Sequence, residues 1–530
     1  MLPLLIACEG GDSSDGEEAP AVHVTALEVS PAEASLVTGP GGGEPLQYEV
    51  VATFEDGKTG KLETAEWSVS NRSSGTIDEA GLFTPSTENG GVTYVTAAFD
   101  GVEAQALLTV VYEDELVDGD VDTRGFEGTE VPTDLWLYPE HDVNFPRNTP
   151  SIEFQWQDVG AQAYRLRFHA DVTELTVYTA STSWTADETT WANIVATNAG
   201  GSVEVELSAV VGREVWADEP ITLNVNRMDG VGSIYYWCTS TSGVMSIPYG
   251  GTASEYLTAT TTGHCVGCHD ISSTGLIAFT YDGGDQPMGV KRMSDGSDVV
   301  GFGVKYANFH TFSPDGVYLL SSFQGALILS DAESGATLWE VAVDGWATQP
   351  DWSPDGDRVV YVNAGSPSAD WVFTGGVIYV MDHVGGGQFG TPRAIYTPPA
   401  GYNAYYPTFS PDGEWIAFDL STEDAYDDAS ALVYVMDAEG GTPVELTAAN
   451  QTAGLSNSWP RWAPLPDDDV LWLAFSSKRA YGRYTSGWPQ IWVAAFDPER
   501  AGRGVDPSWP AFWLPGQDAA QSNHIPVWTE

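Results

Sequence analysis

His310-Thr-Phe-Ser-Pro-Asp-Gly316 returns twice in this chain, as Pro350-Asp-Trp-Ser-Pro-Asp-Gly356 and Pro407-Thr-Phe-Ser-Pro-Asp-Gly413. Each copy runs into a short apolar strand: Val317–Ser321, Val359–Val362 and Trp415–Phe418. A second strand signature follows later in two of the units, Val377-Ile-Tyr-Val-Met-Asp382 and Val433-Tyr-Val-Met-Asp437. The physics of the motif is local. Pro and Gly set a tight turn between two strands, and the Asp side chain bonds its own turn backbone. Asp315, Asp355 and Asp412 are therefore read as turn formers rather than as acid/base groups. A strand–turn–strand unit repeated in this way signals a repeat architecture.

Degenerate copies extend the array. Pro460-Arg-Trp-Ala-Pro464 fits, with Asp467–Asp469 as an altered turn and Trp472–Phe475 as the next strand. Pro526-Val-Trp528 fits at the C-terminal end, and His269-Asp-Ile-Ser-Ser-Thr-Gly275 with Leu276–Phe279 fits upstream. Inner strands then start near 269, 310, 350, 407, 460 and 526, which makes six units. The repeat resembles that of the TolB-type (WD40-like) β-propeller, whose blades read P-x-W/F-S-P-D-G-x-x-I-A-F … I-Y-V-M-D. The resemblance implies a six-bladed propeller over residues 228–530. The last unit has an inner strand and no chain left to finish it. Ser233–Trp237 and Gly243–Tyr249 are expected to complete it, because an open ring leaves sheet edges unpaired. Propellers of this type commonly dock protein partners at the channel mouth.

Cys265-Val-Gly-Cys268-His269 falls on the register of the first unit. C-x-x-C-H is the attachment sequence of c-type haem: two thiols add to the porphyrin vinyl groups and the adjacent His ligates the iron. Two intervening residues let the thiols span one edge of the macrocycle. The competing readings are a disulfide between Cys265 and Cys268, or half of a zinc site. His269 is the expected proximal ligand. A second axial ligand is sought in His524, two residues before the Pro of the sixth inner strand, or in His310, the equivalent of His269 in the second unit. Met245, Met288 and Met293 are weaker candidates, and His264 lies too close to the attachment loop. Lys478 and Arg479 are candidates to pair with haem propionates, against a solvated turn as the plainer reading. Cys238 sits in an apolar strand, as a buried thiol or as a disulfide partner of one of the haem cysteines.

The rest of the sequence frames this motif. Twenty Trp, frequent Gly and Pro, scarce Lys and the absence of heptads point to an all-β chain of several domains. Seventy-five acidic against 20 basic residues give a formal charge of −55, which disfavours nucleic acid and anionic headgroups as partners. Met1–Ala7 ends in Leu5-Ile6-Ala7-Cys8, which resembles the bacterial lipobox although basic residues are missing and the apolar run is short. Residues 1–8 are thus expected to be a lipoprotein signal with Cys8 lipidated, and residues 9–21 a flexible acidic tether. The resemblance implies an extracytoplasmic, lipid-anchored protein, at the outer membrane or cell surface rather than the inner membrane.

Residues 22–112 carry the order A-T-F-x-D-G-x-T … W-x-V … G-x-I-D-x-x-G-L-F-T … V-T-A, which resembles the bacterial Ig-like group 2 domain. Residues 113–133 form an acidic linker in which Asp118, Asp120 and Asp122 have the spacing that opens a calcium loop. Residues 134–227 alternate in a way that loosely resembles a fibronectin III (Ig-like) sandwich. No G-x-S-x-G, H-E-x-x-H or phosphate-cradling loop occurs. The expectation is two Ig-like sandwiches followed by a propeller with one covalent haem c. The protein would pass single electrons at the cell envelope to a redox partner or envelope protein at the propeller mouth. The alternatives are a non-redox docking or adhesion lipoprotein, and a haem enzyme acting on a small molecule such as peroxide.

Overall fold

The computed structural model describes residues 23–426, 428–464 and 470–530. Cys8, the signal and tether over 1–21, and the altered turn at Asp467–Asp469 lie outside the described residues. Strands dominate and the helices are few and short, so the chain is all-β. It divides into two compact units, Met1–Glu113 and Asp114–Glu530. Among the described residues no helix is long and apolar enough to cross a membrane.

The first unit is built from short paired strands. Val24–Ser30 pairs antiparallel with Glu49–Phe54, and Val102–Asp118 pairs antiparallel with Gly91–Phe99 and parallel with Glu33–Thr38. Alternating side chains from these strands (Val29, Val50, Val95, Ala97, Leu108 and Val110) are buried together around Tyr48 and Phe83. The period of two in the burial of Gly91–Phe99 is that of a half-buried sheet.

The second unit begins with strands around a core of Phe154, Trp156, Leu166 and Phe168. It also holds a helix, Glu188–Val195, where the sequence reading expected strands only. Asp187 caps it by accepting from Thr190 N at 3.0 Å, and Trp191, Ile194 and Val195 face inward at helical spacing. This region is no detached spacer. Tyr138 meets Tyr481 with ring centroids 4.9 Å apart, Phe145 meets Phe512 at 4.9 Å, and Arg483 N donates to Gln155 Oε1 at 2.9 Å. One hydrophobic core therefore runs from these strands into the ring described next.

Six antiparallel sheets follow, five of four strands and the third of five. Their inner strands are, in order, Val266–Ile271, Phe309–Phe312, Ala347–Trp352, Asn403–Phe409, Ser458–Trp462 and Asn523–Thr529. Each packs against the next and the sixth against the first, so the sheets form a closed ring. The sixth sheet is completed by Ser233–Cys238, Gly243–Pro248 and Ser254–Leu257, which precede the first inner strand in sequence. Second strands such as Leu276–Tyr281 and Leu471–Ser477 are buried along their whole length. A sheet stacked between two neighbours has no solvent face, so its strands read as continuous apolar runs rather than as alternations.

The Ser-Pro-Asp-Gly turns do what their chemistry dictates. Asp315 Oδ1 accepts from Ser313 Oγ and from Val317 N, and Tyr318 N donates to Ser313 Oγ at 2.9 Å. The same bonds recur around Asp355 and Asp412. Gly316, Gly356 and Gly413 close the turns at φ of 70°, 77° and 73°, where a Cβ is disfavoured. Side chains then clasp sheet to sheet. Asp270 accepts from Phe312 N (2.9 Å), Thr311 from Trp352 N (3.2 Å), Asp351 from Phe409 N (2.9 Å), Asp419 from Trp459 N (3.0 Å) and Ser476 from Ile525 N (3.1 Å).

Candidate functional site

Five of the six inner strands carry one residue in the left-handed region at the same point of the ring. These are Cys268 (φ 44°), Gln349 (52°), Tyr406 (50°), Trp459 (61°) and Ile525 (54°). Each sits in a bulge, where the ladder to the neighbouring strand shifts register. A bulge re-aims a side chain, and here all five point into the central channel. Phe309 supplies the sixth member from a regular strand. Together these six residues line a constriction of about 20 Å³. The next residue is Pro in strands three to six, but His269 in the first and His310 in the second.

Above the constriction the channel opens into a cavity of about 430 Å³. Its walls are mostly aromatic: Trp237, Phe309, Trp371, Tyr426 and Trp459. Cys265 and Cys268 both lie on its wall, as does the carboxylate residue Asp285. Trp371 is brought there by a hairpin, Ser366–Ala369 with Val372–Thr374, inserted in the third sheet. Asp370 pins that hairpin by accepting from Asn308 Nδ2 (3.0 Å), Gln324 N (3.0 Å), Gly325 N (2.9 Å) and Trp346 Nε1 (2.8 Å). Gly284 lets the indole close down, because a Cβ there would stand 2.6 Å from the Trp371 ring.

The two thiols differ from activated cysteines. Burial pushes Cys265 up, with a contribution from Asp282, and pushes Cys268 up to about 12, with a contribution from Cys265. Both remain thiols at neutral pH, so thiolate chemistry is not built into this loop. Cys238, Cys265 and Cys268 are free thiols in the structure, and Cys238 is buried with its Sγ 3.3 Å from Gln521 Oε1.

His269 is 4% exposed and lines the constriction rather than the cavity itself. Neither of its ring nitrogens makes a hydrogen bond of normal geometry among the described residues, the Tyr235 backbone offering only a weak one. Burial lowers its pKa to about 4, partly offset by the Tyr235 backbone and reinforced by Arg461. It is therefore a neutral imidazole with a lone pair to offer. His310 is the opposite case. Thr280 Oγ1 donates to the carbonyls of Ala307 or Asn308, so it accepts from His310 Nε2 at 3.2 Å, and Ser321 Oγ donates to Nδ1 at 3.1 Å. Both ring nitrogens of His310 are thus engaged. His524 packs edge-on against Trp459 with centroids 5.7 Å apart and is not on the cavity wall.

The remaining candidates fall elsewhere. Met245, Met288 and Met293 belong to the packing between sheets. His264 stacks on Phe302 at 3.9 Å and bonds Asp282 Oδ2 at 2.8 Å. Arg479 corrects the expectation of a solvated turn or a propionate partner. It is 4% exposed, lies against Phe475 and Trp492, and donates to the carbonyls of Ala449 and Asn450 and to Asn457 Oδ1. It is a structural cation, which burial lowers to about 9. The three linker aspartates do not gather. Asp118 accepts from Thr179 Oγ1 at 3.0 Å, while Asp122 caps Thr123–Glu127 and pairs with Arg124 at 2.9 Å. Among the described residues no group of three or more His, Cys, Asp or Glu is placed to hold a metal ion.

Sequence reasoning missed Trp237, Trp371 and Tyr426 on the cavity, and Gln349, Tyr406 and Arg461 at the constriction. A signal for two of these, Gln349 and Tyr406, was available: the residue just before each repeat Pro turns into the channel. The hairpin carrying Trp371 interrupts the repeat and has no counterpart in the other units.

No protein-family model matches the chain, and no curated protein matches it. Solved structures that it resembles include TolB from Acinetobacter baumannii (15% identity, 62% of this chain and 79% of that one, TM-score 0.37). A putative TolB from Agrobacterium tumefaciens gives 16% identity over 54% of this chain and 89% of that one, with a TM-score of 0.34. Kuenenia stuttgartiensis hydrazine synthase gives 15% identity, 44% and 63% coverage and a TM-score of 0.30. All three likenesses are distant, and the closed ring of sheets rests on its own strand pairing.

Proposed function

We propose that this chain is a c-type haem protein of the cell envelope that transfers single electrons, built on a six-bladed TolB-type propeller. The observation that carries the reading is the convergence of Cys265, Cys268 and a buried, neutral His269 without a hydrogen bond of normal geometry at one end of the ring channel. These residues suit the group. Both thiols face an aromatic cavity within the size range of ligand sites, and a buried imidazole without a hydrogen bond of normal geometry calls for a partner. Cys265 and Cys268 would hold the macrocycle and His269 would supply the proximal ligand. When bound, the haem supplies a one-electron couple whose potential its ligands and surroundings set. The chain excludes water with Trp237, Trp371 and Trp459, and keeps His269 neutral by burying it.

The same reading takes the first unit as an Ig-like spacer behind a tether from lipidated Cys8. The partner would be a redox or envelope protein at the channel mouth. A second reading has its own support. Among the described residues no further His and no Met lines the cavity, and His310 is committed to Thr280 and Ser321. An iron without a second protein ligand suits an enzyme acting on a small molecule such as peroxide.

Expression with periplasmic haem-maturation machinery, followed by voltammetry and resting-state spectra, separates the readings. A low-spin protein with one reversible one-electron wave supports electron transfer. A high-spin protein that turns over peroxide supports the enzyme. Colourless, folded protein overturns both and leaves a docking module.

A further inference from the structure

Three polar groups at the constriction share one defect. Neither nitrogen of His269, nor Gln349 Nε2, nor Tyr406 Oη makes a hydrogen bond of normal geometry among the described residues, and His269 has only a weak one to the Tyr235 backbone. All three residues are at least nine-tenths buried: His269 is 4%, Gln349 4% and Tyr406 2% exposed. All three line the same space of about 20 Å³. Their orientations are fixed by other contacts. Gln349 Oε1 accepts from Tyr406 N at 2.8 Å, so the amide cannot flip and its NH₂ is left over as donor. The Tyr406 ring is stacked on Trp459 with centroids 3.6 Å apart.

One orphaned group in a folded interior is costly; three around one small space suggest a shared partner. A space of about 10–15 Å³ with two to four polar neighbours is enough for one water. We propose that this layer of the ring is a built site for one water-sized hydrogen-bonding molecule, which ties His269 to Gln349 and Tyr406. A water there accepts from Gln349 Nε2 and from the N–H of His269 and donates to Tyr406 Oη, which satisfies all three. It fixes the imidazole tautomer and leaves the other nitrogen for a metal. Metal-bound histidines almost always have such an outer partner, which raises their basicity. Gln349 and Tyr406 are then positioning residues for His269. This role rests on the haem reading; the site itself does not.

The test keeps the two apart. A high-resolution crystal structure of the full chain carrying Cys265→Ala and Cys268→Ala, which takes up no covalent haem, is expected to show one ordered water bonded to His269 and Gln349. In the same background, Gln349→Met and Tyr406→Phe are expected to shift the His269 ¹⁵N resonances toward exchange between tautomers. In haem-loaded protein, Gln349→Met is expected to move the reduction potential upward, because a less basic imidazole stabilises the ferric iron less. A dry constriction beside well-ordered waters elsewhere, or His269 resonances unchanged in both variants, overturns the site. An ordered water with an unmoved potential overturns the positioning role and spares the site.

Discussion

His269 and His310 stand at matching points of neighbouring inner strands, both replacing a Pro that the other four strands keep. Both are buried, and both are held neutral by that burial, His269 at about 4 and His310 at about 3. Yet His310 spends its nitrogens on Thr280 and Ser321, while those of His269 make no hydrogen bond of normal geometry. The difference lies in backbone and neighbours. The second inner strand is regular, so His310 meets the hydroxyls of its own sheet and the first. The first strand bulges at Cys268, which places that thiol on both the cavity and the constriction and His269 on the constriction. A repeated scaffold thus supplies five similar bulges, and the first of them carries the Cys265-x-x-Cys268-His269 sequence.

That contrast can be broken by mutation. His269→Pro gives the first strand the residue of strands three to six, whose preceding residues already hold the left-handed backbone. The expected outcome is an unchanged circular dichroism spectrum and melting temperature with complete loss of His-ligated haem absorption. Unfolding instead would show that the histidine is structural.

A smaller effect is expected on the satisfied side. Thr280→Val removes the acceptor of His310 Nε2 and strands a buried donor, at a cost of about 1–3 kcal/mol in urea denaturation. No loss would mean that His310 is as unpartnered as His269. The pH dependence sharpens the same point. His310 titrates near 6.5 when unfolded and is depressed to about 3 when folded. The unfolded chain therefore binds the proton first, and stability falls as pH drops from about 6.5 toward 3. The slope from this one group is at most about 1.4 kcal/mol per pH unit. His310→Gln is expected to flatten the stability profile across that window. Asp270, raised to about 7 by burial and partly relieved by Arg461, works in the opposite direction, losing stability as pH rises from about 4 to 7. A profile measured on the Asp270→Asn background removes that opposing contribution, and the difference between it and the same background carrying His310→Gln reports His310 apart from His269. The smallest effect belongs to the scaffold. Asp355→Ala removes an acceptor of Ser353 Oγ and Asp357 N and is expected to cost about 1 kcal/mol, with no change in haem content.

Much of this was legible in the sequence, for physical reasons. The turns were readable because Ser-Pro-Asp-Gly fixes its geometry locally, through bonds within six residues. The inner-strand register followed from those turns, and it carried the C-x-x-C-H motif onto the first strand. The helix at Glu188–Val195 was missed because eight residues between strands leave little periodicity, although Asp187 and the Trp191–Ile194–Val195 spacing mark it. Arg479 was misread because burial of a cation depends on carbonyls of Ala449 and Asn450, thirty residues away in sequence. Strand parity offered both His524 and His310 and could not show that Thr280 and Ser321, on neighbouring strands, engage the nitrogens of His310.

The central claim is that Cys265, Cys268 and His269 hold a haem at the end of the ring channel. Acid–acetone extraction followed by a pyridine haemochrome spectrum tests it most directly, on the full chain made with haem-maturation machinery. One non-extractable c-type haem per chain, lost in Cys268→Ala while the fold persists, is the predicted result. A folded, colourless chain, or a haem that extracts freely and survives Cys268→Ala, would contradict it.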